Sequence, residues 1–181
     1  TEAKDASADD TLFVKKPQYT HSDSFLNNPE HWQVIMKREV EVGEILFKNP
    51  HPNVCAYKGV VLDDHDRITG VAYKKYDRDL STIGLSGEPF DVDHILKCVL
   101  RGLKHMHRLG LVHCDLKPDN ILVTGRDIAI CDFDATHRLR EPIWFKRGSD
   151  EWWPANYDWK MPAVKEIDLQ MFKILKDRLK A

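Results

Sequence analysis

With 181 residues, 42% of them hydrophobic and 31% charged, the chain is long enough to bury one sizeable core, or two small lobes sharing a seam. A formal net charge of −2 supplies no basic field for a phosphodiester backbone, which sets nucleic-acid binding aside. The four cysteines, Cys55, Cys98, Cys114 and Cys131, show no CxxC spacing, so a reducing intracellular compartment, the cytoplasm, is expected rather than a disulfide framework or zinc knuckle, and no apolar run approaches the roughly 18 to 20 residues that span a bilayer.

The opening TEAKDASADD is polar and acidic and reads as a disordered tail over residues 1–10. TLFVKK (11–16) has the apolar alternation of a short strand, and Pro17 stops it. The turn-rich piece THSDSFLNNPE follows. From His31 to Lys48, Val34, Ile35, Val42, Ile45 and Leu46 recur at helical spacing until NPHP, which cannot continue a helix. VCAYKGVVL (54–62) and RITGVAYKKY (67–76) read as the arms of an antiparallel hairpin around DDHD.

After Tyr76 the chain becomes helical. FDVDHILKCVLRGLKHMHRLG carries Ile95, Leu96, Val99, Leu103 and Met106 on one stripe, with Asp91 or Asp93 as its cap and Gly110 as its stop. LVHCDLKPDNILV and IAICDFDATH then form two short apolar strands that end in or enclose polar residues. IDLQMFKILKDRLK closes the chain as an amphipathic helix.

HCDLKPDN (113–120) resembles the catalytic loop of protein kinases, H-R-D-L-x-x-x-N, and CDFD (131–134) resembles their metal-binding D-F-G motif. Lys117 followed by Pro118 is similar to the Ser/Thr protein-kinase version of the loop rather than to the small-molecule phosphotransferases that share the shorter pattern. Four further stretches carry the resemblance, which runs from about Thr11 to Leu175. FKNPHPNVCAYKG resembles the end of the family's αC helix and the next strand. ILKCVLRGLKHMHRLGLVH resembles the helix leading into the catalytic loop, GSDEWWPA the segment before A-P-E, and EIDLQMFKIL the start of the αF helix.

The resemblance implies an α+β, bilobal fold with a reduced β small lobe over 11–76 and a mainly α, truncated large lobe over 77–181. It implies transfer of the γ-phosphate of ATP, with Mg²⁺, to a hydroxyl of a protein substrate. On the matching positions, Asp115 is the catalytic base, Lys117 contacts the transferring phosphate, and Asn120 and Asp132 hold the metal. His113 is structural, and Asp168 anchors the catalytic-loop backbone. Lys15, or Lys16 one residue out of phase, pairs with the ATP phosphates. Its ion-pair partner is Glu39, with Glu41 as the fallback. Tyr73 stands at the back of the nucleotide pocket, and Lys74, Lys75 and Tyr76 form the hinge that meets the adenine. A protein substrate or a partner kinase is implied, with neither nucleic acid nor membrane. Leu169, Phe172, Leu175 and Leu179 of the last helix either cover the lobe or dock a partner, and Trp152 and Trp153 are either core anchors or a peptide-docking surface.

The sequence also departs from the family pattern. No G-x-G-x-x-G precedes Lys15, and Phe13 shares its face. Cys114 replaces the arginine that usually grips a phosphorylated activation segment, so phosphorylation at Thr136 or Ser149 lacks its customary anchor. Asp134 takes the place of the D-F-G glycine, where it either repels Asp132 or adds a metal ligand, and Trp153-Pro154-Ala155-Asn156 stands where A-P-E is expected. Two readings follow: a minimal catalysing kinase, favoured by the retained charged residues, and a pseudokinase that binds or competes without catalysis, favoured by these departures.

Overall fold

The computed structural model describes residues 2–3, 9–16, 29–158 and 161–181; Pro17 and the turn-rich piece through Asn28 lie outside the described residues. Of the expected tail, only 2, 3, 9 and 10 are described. Glu2 bridges Val60, and Ala3 N–H donates to the Val60 carbonyl at 3.0 Å.

Three antiparallel strands form the first sheet: β1 (Leu12–Lys15), β2 (Tyr57–Leu62) and β3 (Ile68–Lys74), in the order β1-β3-β2. β3 is paired on both sides, which is why Val71, Ala72 and Tyr73 are buried there while the two outer strands keep partly exposed residues. Phe13 faces Tyr73 and Lys15 faces Val71 across the β1–β3 ladder. The hairpin between β2 and β3 closes on Asp63, whose carboxylate accepts the N–H groups of His65 and Arg67. The helix α1 (Pro29–Lys48) lies against this sheet through Val42 and Leu46, which pack with Tyr57, Val71 and Tyr73.

The remaining elements build the larger part. β4 (Arg78–Asp79) leads into α2 (Leu80–Ser86), capped by the Asp79 carboxylate on Thr82 N–H at 2.8 Å and stopped by Gly87 in the left-handed region (φ 68°). α3 (Val92–Arg108) is capped by Asp91, which accepts from His94 N–H at 2.9 Å, and it buries Ile95, Val99, Leu103 and Met106 on the stripe that periodicity predicts. Gly102 lets α3 approach the loop after α1: a Cβ at this position would stand 2.4 Å from the Asn53 carbonyl oxygen.

Two small ladders carry the polar loops. β5 (Leu111–Val112) pairs with β8 (His137–Arg138), and β6 (Ile121–Thr124) sits between β4 and β7 (Asp127–Ile130). The last helix, α4 (Lys165–Leu179), buries Ile167, Met171 and Leu175 in the same core as α3. Of the four apolar residues considered for covering the lobe or docking a partner, Leu175 is fully buried, Phe172 and Leu179 are partly buried against the core, and Leu169 is exposed. Trp152 belongs to that core and Trp153 packs against it partly buried, with Arg178 lying 4.2 Å from the centre of the Trp152 ring. No described helix is long and apolar enough to cross a membrane.

Candidate active site

A cavity of about 1440 Å³ opens between the first sheet with α1 and the larger part of the molecule. On its upper side Lys15 projects from β1. Its Nζ lies 3.0 Å from Glu39 Oε1, 2.6 Å from Asp132 Oδ1 and 3.1 Å from Asp134 Oδ2. Both lysines line the cavity, Lys16 as an exposed residue, and it is Lys15 whose ammonium reaches Glu39, Asp132 and Asp134. Glu41 also lines the cavity, but Glu39 is the carboxylate that reaches Lys15. The Tyr73 hydroxyl donates to the same Glu39 oxygen at 3.0 Å, so Tyr73 stands behind the lysine.

On the opposite side, the loop after β5 is held from below. The buried Asp168 accepts the N–H groups of His113 and Cys114, each at 2.9 Å, and the Nε2–H of His107 at 2.7 Å. These bonds secure Cys114 at φ 61°, a left-handed conformation that a non-glycine residue adopts only when its surroundings enforce it. His113 is buried and bonds through Nε2 to the Cys131 carbonyl at 2.9 Å, which joins the two motif-bearing loops. Asn120 Nδ2 donates both to the Asp115 carbonyl (2.8 Å) and to Asp115 Oδ2 (3.0 Å), and Lys117 Nζ lies 3.3 Å from the same carboxylate oxygen.

Gly148 is required where the following segment passes the loop. A Cβ there would stand 2.7 Å from the Cys114 carbonyl oxygen and 2.8 Å from Asp115 Oδ1. Gly148→Ala is therefore expected to push the Asp115 carboxylate aside and to reduce any Asp115-dependent turnover by roughly 100-fold, the scale set by displacing a reacting group by about 1 Å. Nucleotide affinity should change far less, and steady-state kinetics beside equilibrium nucleotide binding separates the two.

The charges on the cavity wall perturb one another. Burial would push the Lys15 ammonium down, but Asp132, Glu39 and Asp134 outweigh it and hold the group well above the ordinary lysine range. Burial pushes the Glu39 carboxyl up despite the pull of Lys15. For Asp132 burial is again opposed, and Lys15 with Lys146 holds its carboxyl at about 2, below the ordinary 3.8. A depressed carboxylate stabilises the fold above its unfolded pKa and loses that contribution as pH falls through its folded one. Glu39 has the opposite sign, its charge becoming a burden as pH rises, so the acid window belongs to Asp132. The stability difference between the native chain and Asp132→Asn is thus expected to shrink between about pH 4 and pH 2, as read by urea unfolding across that range.

Three placements depart from expectation. Lys75 does not line the main cavity: its backbone N–H donates to the Thr11 carbonyl at 2.9 Å, so the tail end before β1 has taken the group assigned to adenine, while Lys74 and Tyr76 do line it. The left-handed residue of the CDFD turn is Asp132 (φ 62°), so an aspartate at the glycine position adds no left-handed strain there. Asp134 does not simply repel Asp132 either, because both share Lys15 and Asp134 Oδ1 also takes Lys146 Nζ at 2.5 Å. Lys146, and the pair Arg38–Glu141 that joins α1 to the same segment, have no local sequence signal; nothing sets them apart from their charged neighbours until the fold brings distant segments together.

A strand lysine paired with a helix glutamate and in contact with an aspartate of a second loop, beside an Asp–Asn loop, is the site architecture of the kinase-like α+β fold. The protein kinase domain model matches residues 4–156, and the chain belongs to that family. It is 42% identical over 115 residues to mitogen-activated protein kinase 4 of Oryza sativa subsp. japonica, covering 60% of this chain and 31% of that protein. It is 27% identical over 161 residues to putative serine/threonine-protein kinase R436 of Acanthamoeba polyphaga mimivirus, covering 78% and 57%. Against the mitogen-activated protein kinase HOG1 of Exserohilum turcicum it is 31% identical over 144 residues, covering 77% and 40%. The chain thus spans about a third to a little over half the length of these relatives. Among solved structures, a chain of the yeast RNA Pol II CTD kinase CTDK-1 complex superposes with a TM-score of 0.72 at 20% identity, over 93% of this chain and 54% of that one.

Proposed function

We propose that the chain catalyses transfer of the γ-phosphoryl group of ATP to a serine or threonine hydroxyl of a protein, with Mg²⁺ as its cofactor. The observation that carries this reading is the contact of Lys15 with both Glu39 and Asp132 on the cavity wall, which Asn120 also lines while it bonds to Asp115 beside Lys117. An intracellular, cytoplasmic setting belongs to the same reading and is supported by four free cysteines.

The donor set suits a hard cation. Asn120 turns its Nδ2 to Asp115, which leaves its amide oxygen as the donor on the cavity side, and Asp132 supplies a carboxylate held ionised by lysines. Asn120 and Asp132 would hold Mg²⁺, which when bound neutralises charge on the phosphate oxygens. Asp115 accepts the proton of the incoming hydroxyl and orients it, and Lys117, 3.3 Å from that carboxylate, supplies positive charge beside the reacting group. Glu39 and Tyr73 hold Lys15 from behind so that its ammonium faces the cleft.

One observation favours the binding-module reading. Lys15 already contacts three carboxylates, and Lys146 neutralises Asp134, an ion-pair network complete without a cation. Transfer of labelled γ-phosphate to a generic basic protein, dependent on Mg²⁺, distinguishes the two: incorporation supports the kinase, and none at millimolar ATP supports the module.

A further inference from the structure

The links between α1 and the segment after Phe133 are made by unmodified side chains. Arg38 Nη2 pairs with Glu141 Oε1, and the two side chains are only 12% and 20% exposed. The guanidinium also lies 5.2 Å from the centre of the Phe145 ring, which stacks on the buried His137 at 4.3 Å. Glu141 is braced in turn: its second carboxylate oxygen accepts Arg138 N–H at 2.9 Å, and its backbone carbonyl accepts Ala163 N–H at 2.8 Å, just ahead of α4. β8, immediately before this turn, is paired with β5, which runs directly into His113. Glu141 is therefore fixed to the same framework that carries Asp115.

On the other side of the pair, Arg38 is the helical neighbour of Glu39. Successive helix residues point about 100° apart, so α1 can present Glu39 to Lys15 and Arg38 to the segment at the same time. A second link, Lys146 to Asp134, ties the segment to the metal-competent turn. Cys114 carries no charge with which to hold a phosphorylated side chain, and Arg38, a cation that α1 turns to the segment, is already occupied by a carboxylate.

We propose that Arg38 and Glu141 are a positioning pair: by tying α1 to the segment they keep Glu39 within reach of Lys15, and they do so without a phosphorylated residue. Its consequence for rate rests on the kinase reading; its consequence for the placement of α1 does not. An exposed ion pair would contribute little. This one is mostly buried, and reversing either charge leaves two like charges facing each other at the joint between helix and segment.

The test is a charge exchange in the whole chain, comparing Arg38→Glu, Glu141→Arg and the double variant. Hydrogen exchange of the stretch of α1 containing Glu39 is measured beside phosphoryl transfer, with and without prior protein-phosphatase treatment. Each single variant is expected to raise exchange in that stretch and to lower kcat by at least about tenfold, with a smaller change in KM for ATP. The double exchange restores both to within about threefold of native, and phosphatase treatment leaves the native rate unchanged. Unaltered exchange in the singles, no recovery in the double, or a native rate lost on phosphatase treatment overturns the proposal. A native chain that transfers no phosphate contradicts the kinase reading, while the exchange measurements still decide the pair. Where a reversal does not fold, Arg38→Gln and Glu141→Gln, which keep the bulk and remove one charge, are judged by the same exchange measurement.

Discussion

Asp115→Asn is expected to lower phosphoryl transfer by about 10²- to 10⁴-fold, the usual contribution of a positioned general base, while leaving nucleotide affinity and the fold nearly unchanged. The substitution keeps the shape of the side chain. It also keeps the backbone carbonyl of residue 115, which accepts one of the two Asn120 bonds. What it removes is the charge that Lys117 faces at 3.3 Å, while the amide oxygen that remains can still accept the second Asn120 bond, 3.0 Å long in the native chain. An amide cannot accept the proton of an attacking hydroxyl. Single-turnover transfer, with nucleotide affinity measured separately, checks the split: a loss in the chemical step alone agrees with the role assigned to Asp115, and equal rates for the two proteins refute it.

Asp168→Ala is expected to have the largest effect on stability, about 3–5 kcal/mol, the range for breaking a buried charged network by removing one partner. The carboxylate is fully buried and accepts three hydrogen bonds, two from consecutive backbone N–H groups and one from His107. Alanine leaves all three donors without their acceptor in the interior. It also releases Cys114 from its left-handed conformation, so the loop carrying Asp115 should move with it. Against total stabilities of about 5–15 kcal/mol for single domains, much of the fold's margin would be lost. Urea unfolding gives the number, and a cost below about 1 kcal/mol, the value of an ordinary hydrogen bond, would show that Asp168 is not the loop's anchor.

The loops that carry the chemistry were legible because each is a contiguous string whose residue types and spacing serve one purpose. His113 to Asn120 and Cys131 to Asp134 are such strings, and the stripe of α3 and the β2–β3 hairpin followed from periodicity alone. Choices that depend on a partner strand or a facing helix were not legible in the same way. Lys15 and Lys16 are equivalent until the fold brings the Lys15 ammonium to Glu39, Asp132 and Asp134, and Glu39 and Glu41 both look into the cavity until the position of Lys15 selects one. α2 escaped notice because seven residues containing Gly84 give too short a pattern, and its cap, Asp79, is informative only once the helix is known. Nor does the sequence show that the Lys75 backbone N–H is claimed by Thr11, a contact between residues far apart in sequence. The same limit hid Arg38, Glu141 and Lys146, whose partners come from other segments.

The central claim is that Lys15, Asn120 and Asp132 converge to hold nucleotide together with a divalent cation. A titration of the native chain and of Asp132→Asn with ATP and Mg²⁺, followed by the thermal unfolding midpoint, tests it most directly. A hundredfold excess over Kd should stabilise the native chain by about 2.7 kcal/mol, or roughly 5–10 °C for a domain of this size, and the variant should show little Mg²⁺-dependent shift. A native midpoint that does not move at millimolar Mg²⁺ and ATP, or one that moves equally in Asp132→Asn, would contradict the account.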